Sequence, residues 1–320
     1  MQIFLRDITP ILRQHQNIVI TTHVNPDGDA IGSALALYFY LVALGKKARL
    51  VIDDDIPPYL KFLPGSHFIA KADAALDAIA EASLIIVLDA SDQGRYGKVV
   101  NPTAKILNID HHLSNTKFAE YWYVDETAAA TGEIIFQFLQ NEKAVVTEEM
   151  ATCLFTSLAT DCGFFQFANT TAATLRYAAQ LVEYGAKPNA ISEFLTVKPL
   201  KNVQILPKVL TTLTIFKTAA NITVASLTLQ KEVLAELESD TEDFAKYPRN
   251  ITGVDIAVVY KEIEETCIKI SMRSKDINVS QIALHFGGGG HLRAAGCTIK
   301  GTLDFAKTEL LAAIERYTTA

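Results

Sequence analysis

Three ionisable residues, His23, Asp27 and Asp29, lie close together in the segment NIVITTHVNPDGDAIGSALAL, residues 17–37. An apolar, β-branched run that predicts a strand precedes them, and an apolar helical pattern follows directly. Charged groups at such a junction gain nothing for packing. Taken alone, Asp27 could be a turn residue and Asp29 a helix N-cap. Imidazole and carboxylate groups at this spacing are equally suited to bind a divalent cation.

The surrounding pattern predicts that strands and helices alternate in the first part of the chain. Apolar runs of strand length cover 17–22, 48–53, 84–90 and 105–110, and helical patterns cover 30–44, 72–81, 131–141, 147–160 and 171–185. Such alternation is typical of an α/β fold in which helices cover both faces of a parallel sheet. We therefore expect a parallel-sheet domain over residues 1–187.

The last third of the chain predicts a smaller α+β domain. Strands are expected at 222–229, 254–262 and 265–274, followed by a helix over 278–286, four glycines, one more strand and a helix from about 303. The segment before them contains three prolines and predicts a helical connector. The expected domains are therefore 1–187, a linker over 188–215, and 216–320.

More acidic and imidazole residues follow other predicted elements of the first domain. Asp89 ends the third strand, Asp110, His111 and His112 end the fourth, and Asp161 ends an apolar helix before a glycine turn. Ligands of open parallel sheets bind at the carboxyl ends of the strands. Each residue alone has an ordinary structural explanation, but carboxylates that converge on one edge repel each other unless a cation lies between them. Oxygen-rich ligands with imidazoles favour Mn²⁺ or Mg²⁺, and two such ions could hydrolyse a phosphoester.

The composition limits the possible partners. The net charge of −7 disfavours a groove for long nucleic acid but is compatible with a short phosphorylated substrate. The longest apolar runs have strand length, so we expect neither a membrane span nor a signal peptide. The four cysteines form no CxxC pair, which argues against a zinc knuckle and favours a reducing cytoplasm.

Five motifs, in this order, resemble those of the DHH phosphoesterase family and extend over nearly the whole chain. They are HVNPDGDAIGS (23–33), VLDASDQGR (87–95), NIDHH (108–112), TDCGFF (160–165) and GGGGHLRAAG (287–296). The last is similar to the signature of the DHH-associated domain, in the subfamily that includes RecJ and NrnA-type proteins.

The resemblance implies two divalent cations, with Mn²⁺ expected and Mg²⁺ or Co²⁺ as alternatives. One cation would be bound by His23 and Asp27, the other by Asp29, His111 and Asp161, with Asp89 bridging the two. Metal-bound water under Asp89 would be the nucleophile. His112 would contact the scissile phosphate as an electrostatic partner or proton donor, and Asp110 would orient a neighbouring imidazole.

The glycine-rich motif indicates an anion site in the second domain. A bare glycine run is usually a flexible loop, but here its backbone amides could form a nest for an anion. Arg273, at the end of a neighbouring strand, could bind phosphate bidentately. The resemblance implies that this domain holds the nucleotide part of the substrate. The expected substrate-binding residues are Arg273, Gly288, Gly289, Gly290, His291 and Arg293.

The function implied by the resemblance is hydrolysis of short oligoribonucleotides (nanoRNA, pApA) to mononucleotides, with 3′-phosphoadenosine 5′-phosphate (pAp) as a further substrate. A stand-alone c-di-AMP phosphodiesterase would use the same metal site, so that alternative stays open. A RecJ-like exonuclease is a less favoured alternative than these two, because 320 residues leave no room for an added nucleic-acid-binding barrel. A family II pyrophosphatase lacks the glycine signature, and a sensor without turnover would not need all six ligands. A homodimer is compatible with the sequence, although no surface pattern demonstrates it.

Overall fold

The computed structural model describes residues 1–237 and 241–318, except for the side chains of Glu242, Asp243 and His291. The chain forms two compact units, Met1–Val197 and Lys198–Ala320. The limits 1–187, 188–215 and 216–320 for a catalytic domain, a linker and a substrate-binding domain remain our proposal.

The first unit is built around a parallel sheet of six strands within residues 1–197, all of which the structure describes. The strands are β1 (Asn17–Thr21), β2 (Lys47–Ile52), β3 (Ile69–Lys71), β4 (Leu84–Leu88), β5 (Lys105–Asp110) and β6 (Tyr121–Val124). The helices are α1 (Ile8–Gln14), α2 (Gly28–Ala43), α3 (Leu76–Glu81), α4 (Thr131–Asn141), α5 (Glu148–Asp161), α6 (Ala172–Glu183) and α7 (Pro188–Thr196). The strand order is β3-β2-β1-β4-β5-β6, so the order reverses between β1 and β4. Ligands bind at the carboxyl ends of the strands at such a reversal.

Both faces of this sheet are covered, as the sequence predicts for a parallel sheet. Ile18 and Ile20 of β1 pack into the core formed with α2, α4 and α5, whereas Val19 faces a second core on the side of α3. Helices α2 and α5 approach closely at Gly32. A Cβ atom there would overlap the carbonyl oxygen of Cys153, so only glycine fits without movement of the backbone.

Several elements differ from the sequence prediction. Strands β3 and β6 were not predicted, and the helix expected over 72–81 is a 3₁₀ turn (Ala72–Ala74) followed by α3. Both strands are short and lie at the two edges of the sheet. Their sequences carry no strong alternation of apolar and polar residues, so their strand conformation depends on hydrogen bonding to the neighbouring strands.

The second unit contains a mixed sheet, which confirms the predicted smaller α+β domain. Its strands are β7 (Thr214–Lys217), β8 (Thr223–Leu229), β9 (Ile256–Glu264), β10 (Cys267–Ser274), β11 (Gly289–His291) and β12 (Ala294–Lys300). Its helices are α8 (Leu200–Leu210), α9 (Lys231–Glu236), α10 (Lys246–Arg249), α11 (Val279–His285) and α12 (Leu303–Thr318). The order is β11-β12-β10-β9-β8-β7, and β8 and β9 are parallel. Among the described residues, no helix combines the length and apolar character needed to cross a membrane.

Candidate metal centre

The reversal of strand order brings His23, which follows β1, next to Asp89, which follows β4. The Nε2 atom of His23 lies 3.4 Å from Oδ2 of Asp89, and Nε2 of His111, which follows β5, lies 3.5 Å from Oδ1. The two oxygens of one buried carboxylate therefore face two different imidazoles. Asp89 has a φ of 57°, a left-handed conformation that a non-glycine residue rarely adopts and that is often found at functional sites.

The first group of potential ligands consists of His23, Asp27 and Asp89, whose ligand atoms lie within 4.8 Å of one another. Asp27 is the N-cap of α2, a role that the sequence suggested for Asp29. Its Oδ1 accepts from the backbone N–H of Asp29 and Ala30 at 3.0 Å, while Oδ2 lies 3.9 Å from Nε2 of His23. His23 donates from Nδ1 to its neighbour's carbonyl at 2.9 Å, which leaves Nε2 facing the carboxylates.

The second group consists of Asp29, His111 and Asp161, also within 4.8 Å. The Nε2 atom of His111 lies 3.7 Å from Oδ2 of Asp29 and 3.8 Å from Oδ2 of Asp161. Its Nδ1 atom donates to the carbonyl of Ala128 at 3.3 Å, which orients the ring. Asp161 reaches this group because α5 ends there and three left-handed residues, Gly163 to Phe165, follow.

The sequence did not predict the residues that hold Asp29. The N–H groups of Thr131 and Gly132, at the start of α4, donate to its two oxygens at 2.7 and 2.9 Å, and the hydroxyl of Ser157 donates at 2.5 Å. Thr131 also donates its hydroxyl to Oδ1 of Asp89 at 3.0 Å. The sequence feature that could have indicated these partners is the start of the helix predicted over 131–141, because the free N–H groups at a helix N-terminus bind anions.

The partly buried His112 and the buried Asp110 form a pair beside Asp89. His112 donates from Nδ1 to Oδ1 of Asp110 at 2.7 Å, and the other Asp110 oxygen accepts from Asn115 at 2.6 Å. Burial by itself would lower the pKa of His112, but the hydrogen bond and negative charge of Asp110 outweigh it and raise the pKa to about 10. This raised pKa favours the imidazolium form of His112, which is suited to interact with an anionic group.

The carboxylates of the centre lie so close together, and several are so deeply buried, that their negative charges disfavour one another. Burial and the charge of Asp89 raise the pKa of Asp29 well above its usual value, and burial with the neighbouring aspartates does the same for Asp161. Burial opposes ionisation of Asp89 too, yet the hydrogen bond from His23 and the surrounding imidazoles lower its pKa. Two groups of oxygen and imidazole ligands, joined by one carboxylate, fit two divalent cations that prefer oxygen.

The second unit contains the expected substrate-binding residues, among them Arg273, whose guanidinium donates to the carbonyl of Met272 at 3.0 Å. Arg273 lies in β10 between Ala257 of β9 and Ala294 of β12, so its immediate neighbours in the sheet are small. Arg293 forms a surface ion pair with Asp276 at 3.4 Å. His291 lies in β11 by its backbone, and its side chain is outside the described part of the structure.

The glycine run is more ordered than the sequence suggested. The N–H groups of Gly287 and Gly288 donate to carbonyls of α11 at 3.0 and 2.9 Å, so the expected anion nest cannot use them. Gly289 and Gly290 belong to β11, which pairs with β12. A Cβ atom at Gly288 would overlap the carbonyl oxygen of Gly296, which explains why the backbone requires glycine there. A role of Gly288–Gly290 in substrate binding remains a prediction.

Comparison with known proteins agrees with this architecture. The family model described as "DHH family, N-terminal domain" matches residues 17–158, and the "DHHA1 domain" model matches residues 229–320. The bifunctional oligoribonuclease and PAP phosphatase NrnA of Thermus thermophilus is 36% identical over 306 residues, covering 94% of this chain and 90% of that protein. The protein of the same name from Bacillus subtilis is 27% identical, covering 89% and 90%.

A solved structure with a similar fold is that of an exopolyphosphatase-related protein from Bacteroides fragilis. It superposes with a TM-score of 0.88 at 27% identity, covering 98% of this chain and 96% of that one. The similarity therefore extends over both compact units.

Proposed function

The chain belongs to the DHH family, and from this premise we propose that it is a metal-dependent phosphoesterase that hydrolyses short oligoribonucleotides to mononucleotides and pAp to AMP. The names of its NrnA relatives support the substrate class. The observation that carries the proposal is the position of Asp89, whose two oxygens lie 3.4 and 3.5 Å from imidazoles of two different ligand groups. A carboxylate between two groups is suited to bridge a pair of cations.

In this proposal His23, Asp27 and Asp89 hold one cation, and Asp29, His111, Asp161 and Asp89 hold the other. Two bound cations supply a nucleophile at neutral pH and neutralise the phosphoryl oxygens. Mn²⁺ is the cation we propose, with Mg²⁺ or Co²⁺ as alternatives for the same ligands.

His112 is proposed to face the scissile phosphate. Its Nδ1–H is bonded to Asp110 at 2.7 Å, so the Nε2–H is the donor that we assign to a phosphoryl or leaving oxygen. The raised pKa, about 10, keeps this proton in place at neutral pH. Asp110 in turn keeps the ring in one orientation.

We also propose a cytoplasmic location. All four cysteines are free thiols, and three of them are buried. A reducing compartment is the usual environment of such a protein.

The proposal is tested by a product time course. Metal-free protein is supplied with Mn²⁺, Mg²⁺ or Co²⁺ and offered pApA, a 5-mer RNA, pAp and c-di-AMP in parallel, with products separated by chromatography. We expect mononucleotides from the linear RNAs, AMP and phosphate from pAp, and intact c-di-AMP. If no cation supports hydrolysis of the linear substrates or pAp, the proposal is wrong. Rapid opening of c-di-AMP would assign the same centre to a cyclic-dinucleotide phosphodiesterase.

Replacing Arg273 with alanine is expected to weaken substrate binding rather than the chemical step. A hydrogen bond to a charged group contributes about 1.5–3 kcal/mol, so KM should rise about 10- to 100-fold while kcat changes little. Initial rates with pApA and pAp measure both constants. Lys300→Ala, which removes an exposed cation of the same sheet, should leave both constants unchanged. A fall in kcat at constant KM would contradict the assigned role of Arg273.

A further inference from the structure

We propose that the segment Ala128–Gly132 positions the group Asp29, His111 and Asp161 far more than it positions His23 and Asp27, and that Glu133 and Asn169 are positioning residues that hold this segment. The inference rests on the proposed function, because it concerns the affinity of the two cation sites. None of the sequence motifs includes these residues.

All three side chains of the group Asp29, His111 and Asp161 are held by this segment, directly or through one residue. The carbonyl of Ala128 accepts from Nδ1 of His111 at 3.3 Å, and the N–H groups of residues 131 and 132 donate to Asp29 at 2.7 and 2.9 Å. Asp161 is linked to the segment through Asn169. A shift of this short segment would therefore move the whole group.

Asn169 joins the segment to Asp161. Its side-chain nitrogen lies 3.1 Å from the carbonyl of Ala129, 3.1 Å from the carbonyl of Asp161 and 3.4 Å from Oδ2 of Asp161. One amide thus fixes both the last turn of α5 and the direction of its terminal carboxylate. Asn169 does not belong to either ligand group.

Glu133 holds the segment from the opposite side. Its side chain is buried, with 3% of the residue exposed, and Oε2 accepts from the N–H of Ala129 at 3.3 Å and from the hydroxyl of Thr174 at 2.8 Å. Burial raises the pKa of this carboxyl group, so the site is unfavourable for an acid without a compensating role. Anchoring Ala129 to α6 provides that role, since Ala129 directly follows the partner of His111 and its own carbonyl accepts from Asn169.

The other group is held by different contacts. His23 donates to the carbonyl of Val24 at 2.9 Å, and Asp27 caps α2. The loop between them is fixed by Asp54, which accepts from the N–H of Asn25 at 2.7 Å. Asp89, which we propose to bridge the two cations, accepts from the hydroxyl of Thr131, so one ligand of this group does contact the segment. Loss of the Glu133 anchor should therefore weaken one cation site much more than the other.

The test is a calorimetric titration of metal-free, full-length protein with Mn²⁺. Wild type should bind two ions. In Glu133→Ala, the segment that bonds the ligands loses its anchor, so one site should weaken by up to about 10- to 100-fold, the scale for lost partners of metal ligands, and the other should change much less. Glu133→Gln retains an oxygen that can accept from Ala129 and should restore most of the affinity. Asn169→Ala should weaken the same site.

Gln140→Ala is the matched control. Gln140 donates to Gln180 at 2.7 Å, so this contact also joins α4 to α6, but near the opposite end of α4 from Glu133. Both Mn²⁺ affinities should remain at the wild-type level in this variant. A general loosening of the contact between the two helices would instead affect both variants alike.

Several outcomes would overturn the inference. Equal weakening of both sites in Glu133→Ala, or no change in either, would show that the segment does not position one group selectively. If circular dichroism shows that Glu133→Ala does not fold, the Mn²⁺ titration of Asn169→Ala tests the inference instead, and it too must weaken one site selectively. A wild-type protein that binds fewer than two ions would overturn the proposed metal centre together with the inference, so the two failures are distinguishable.

Discussion

Asp89→Asn is expected to reduce kcat by about 10³-fold or more, the scale on which loss of preorganised electrostatic groups affects enzymes. Asp89 is 2% exposed and lies between the imidazoles of both ligand groups. An amide of the same shape removes the negative charge and one of the two strong acceptor oxygens. Both proposed cations would therefore be affected by a single substitution, because Asp89 is the carboxylate that we propose to bridge them.

Asparagine is the appropriate replacement for Asp89 because the residue adopts a φ of 57°. Asparagine tolerates the left-handed conformation better than most residues, so the backbone should persist, whereas alanine would add strain. Steady-state rates with pApA, together with an Mn²⁺ titration, measure the effect. Asp92→Asn is the control, since Asp92 caps the 3₁₀ turn Gln93–Tyr96 by accepting from the N–H of Gly94 and belongs to none of the groups of potential metal ligands. Near-wild-type kcat in Asp89→Asn would refute the bridging role.

Asp110→Asn is expected to lower kcat by about 10²- to 10⁴-fold, by analogy with the loss of a carboxylate that orients a catalytic imidazole. The hydrogen bond and charge of Asp110 overcome the effect of burial and raise the pKa of His112 to about 10. The imidazolium is therefore present at lower pH and is lost as the pH rises through this value. Without the negative charge the pKa of His112 should fall, so the proton is lost at a lower pH.

The pH profile separates this role from a purely structural one. In wild type, the alkaline decline of kcat should follow the raised pKa of His112, and in Asp110→Asn it should move to lower pH. Combining Asp110→Asn with His112→Ala should add little to the loss in His112→Ala alone, because the two residues act as a unit. An alkaline limb that stays in place in Asp110→Asn would contradict the assignment of His112 as the proton donor.

The local periodicity of the sequence was sufficient for the main elements of the fold. The helix predicted over 131–141 is α4, Thr131–Asn141, and the strand predicted over 17–22 is β1, Asn17–Thr21. The spacing of apolar residues along the sequence indicates which side chains are buried. That pattern of burial distinguishes a helix from a strand. Edge strands and the glycine strand β11 carry weak patterns, so their conformation depends on a partner strand elsewhere in the chain.

The sequence by itself determined which residues are available for the chemistry, because acids and imidazoles directly after apolar strands must lie at the carboxyl edge of a parallel sheet. Only the tertiary structure decided how they are held. Gly132 donates to Asp29 across 103 residues and Ser157 across 128. Which oxygen of Asp89 faces which histidine follows from the adjacency of β1, β4 and β5. Contacts between residues so distant along the chain produce no periodic pattern in the sequence. The spacing of residues therefore identifies the candidate ligands, whereas tertiary packing determines their geometry.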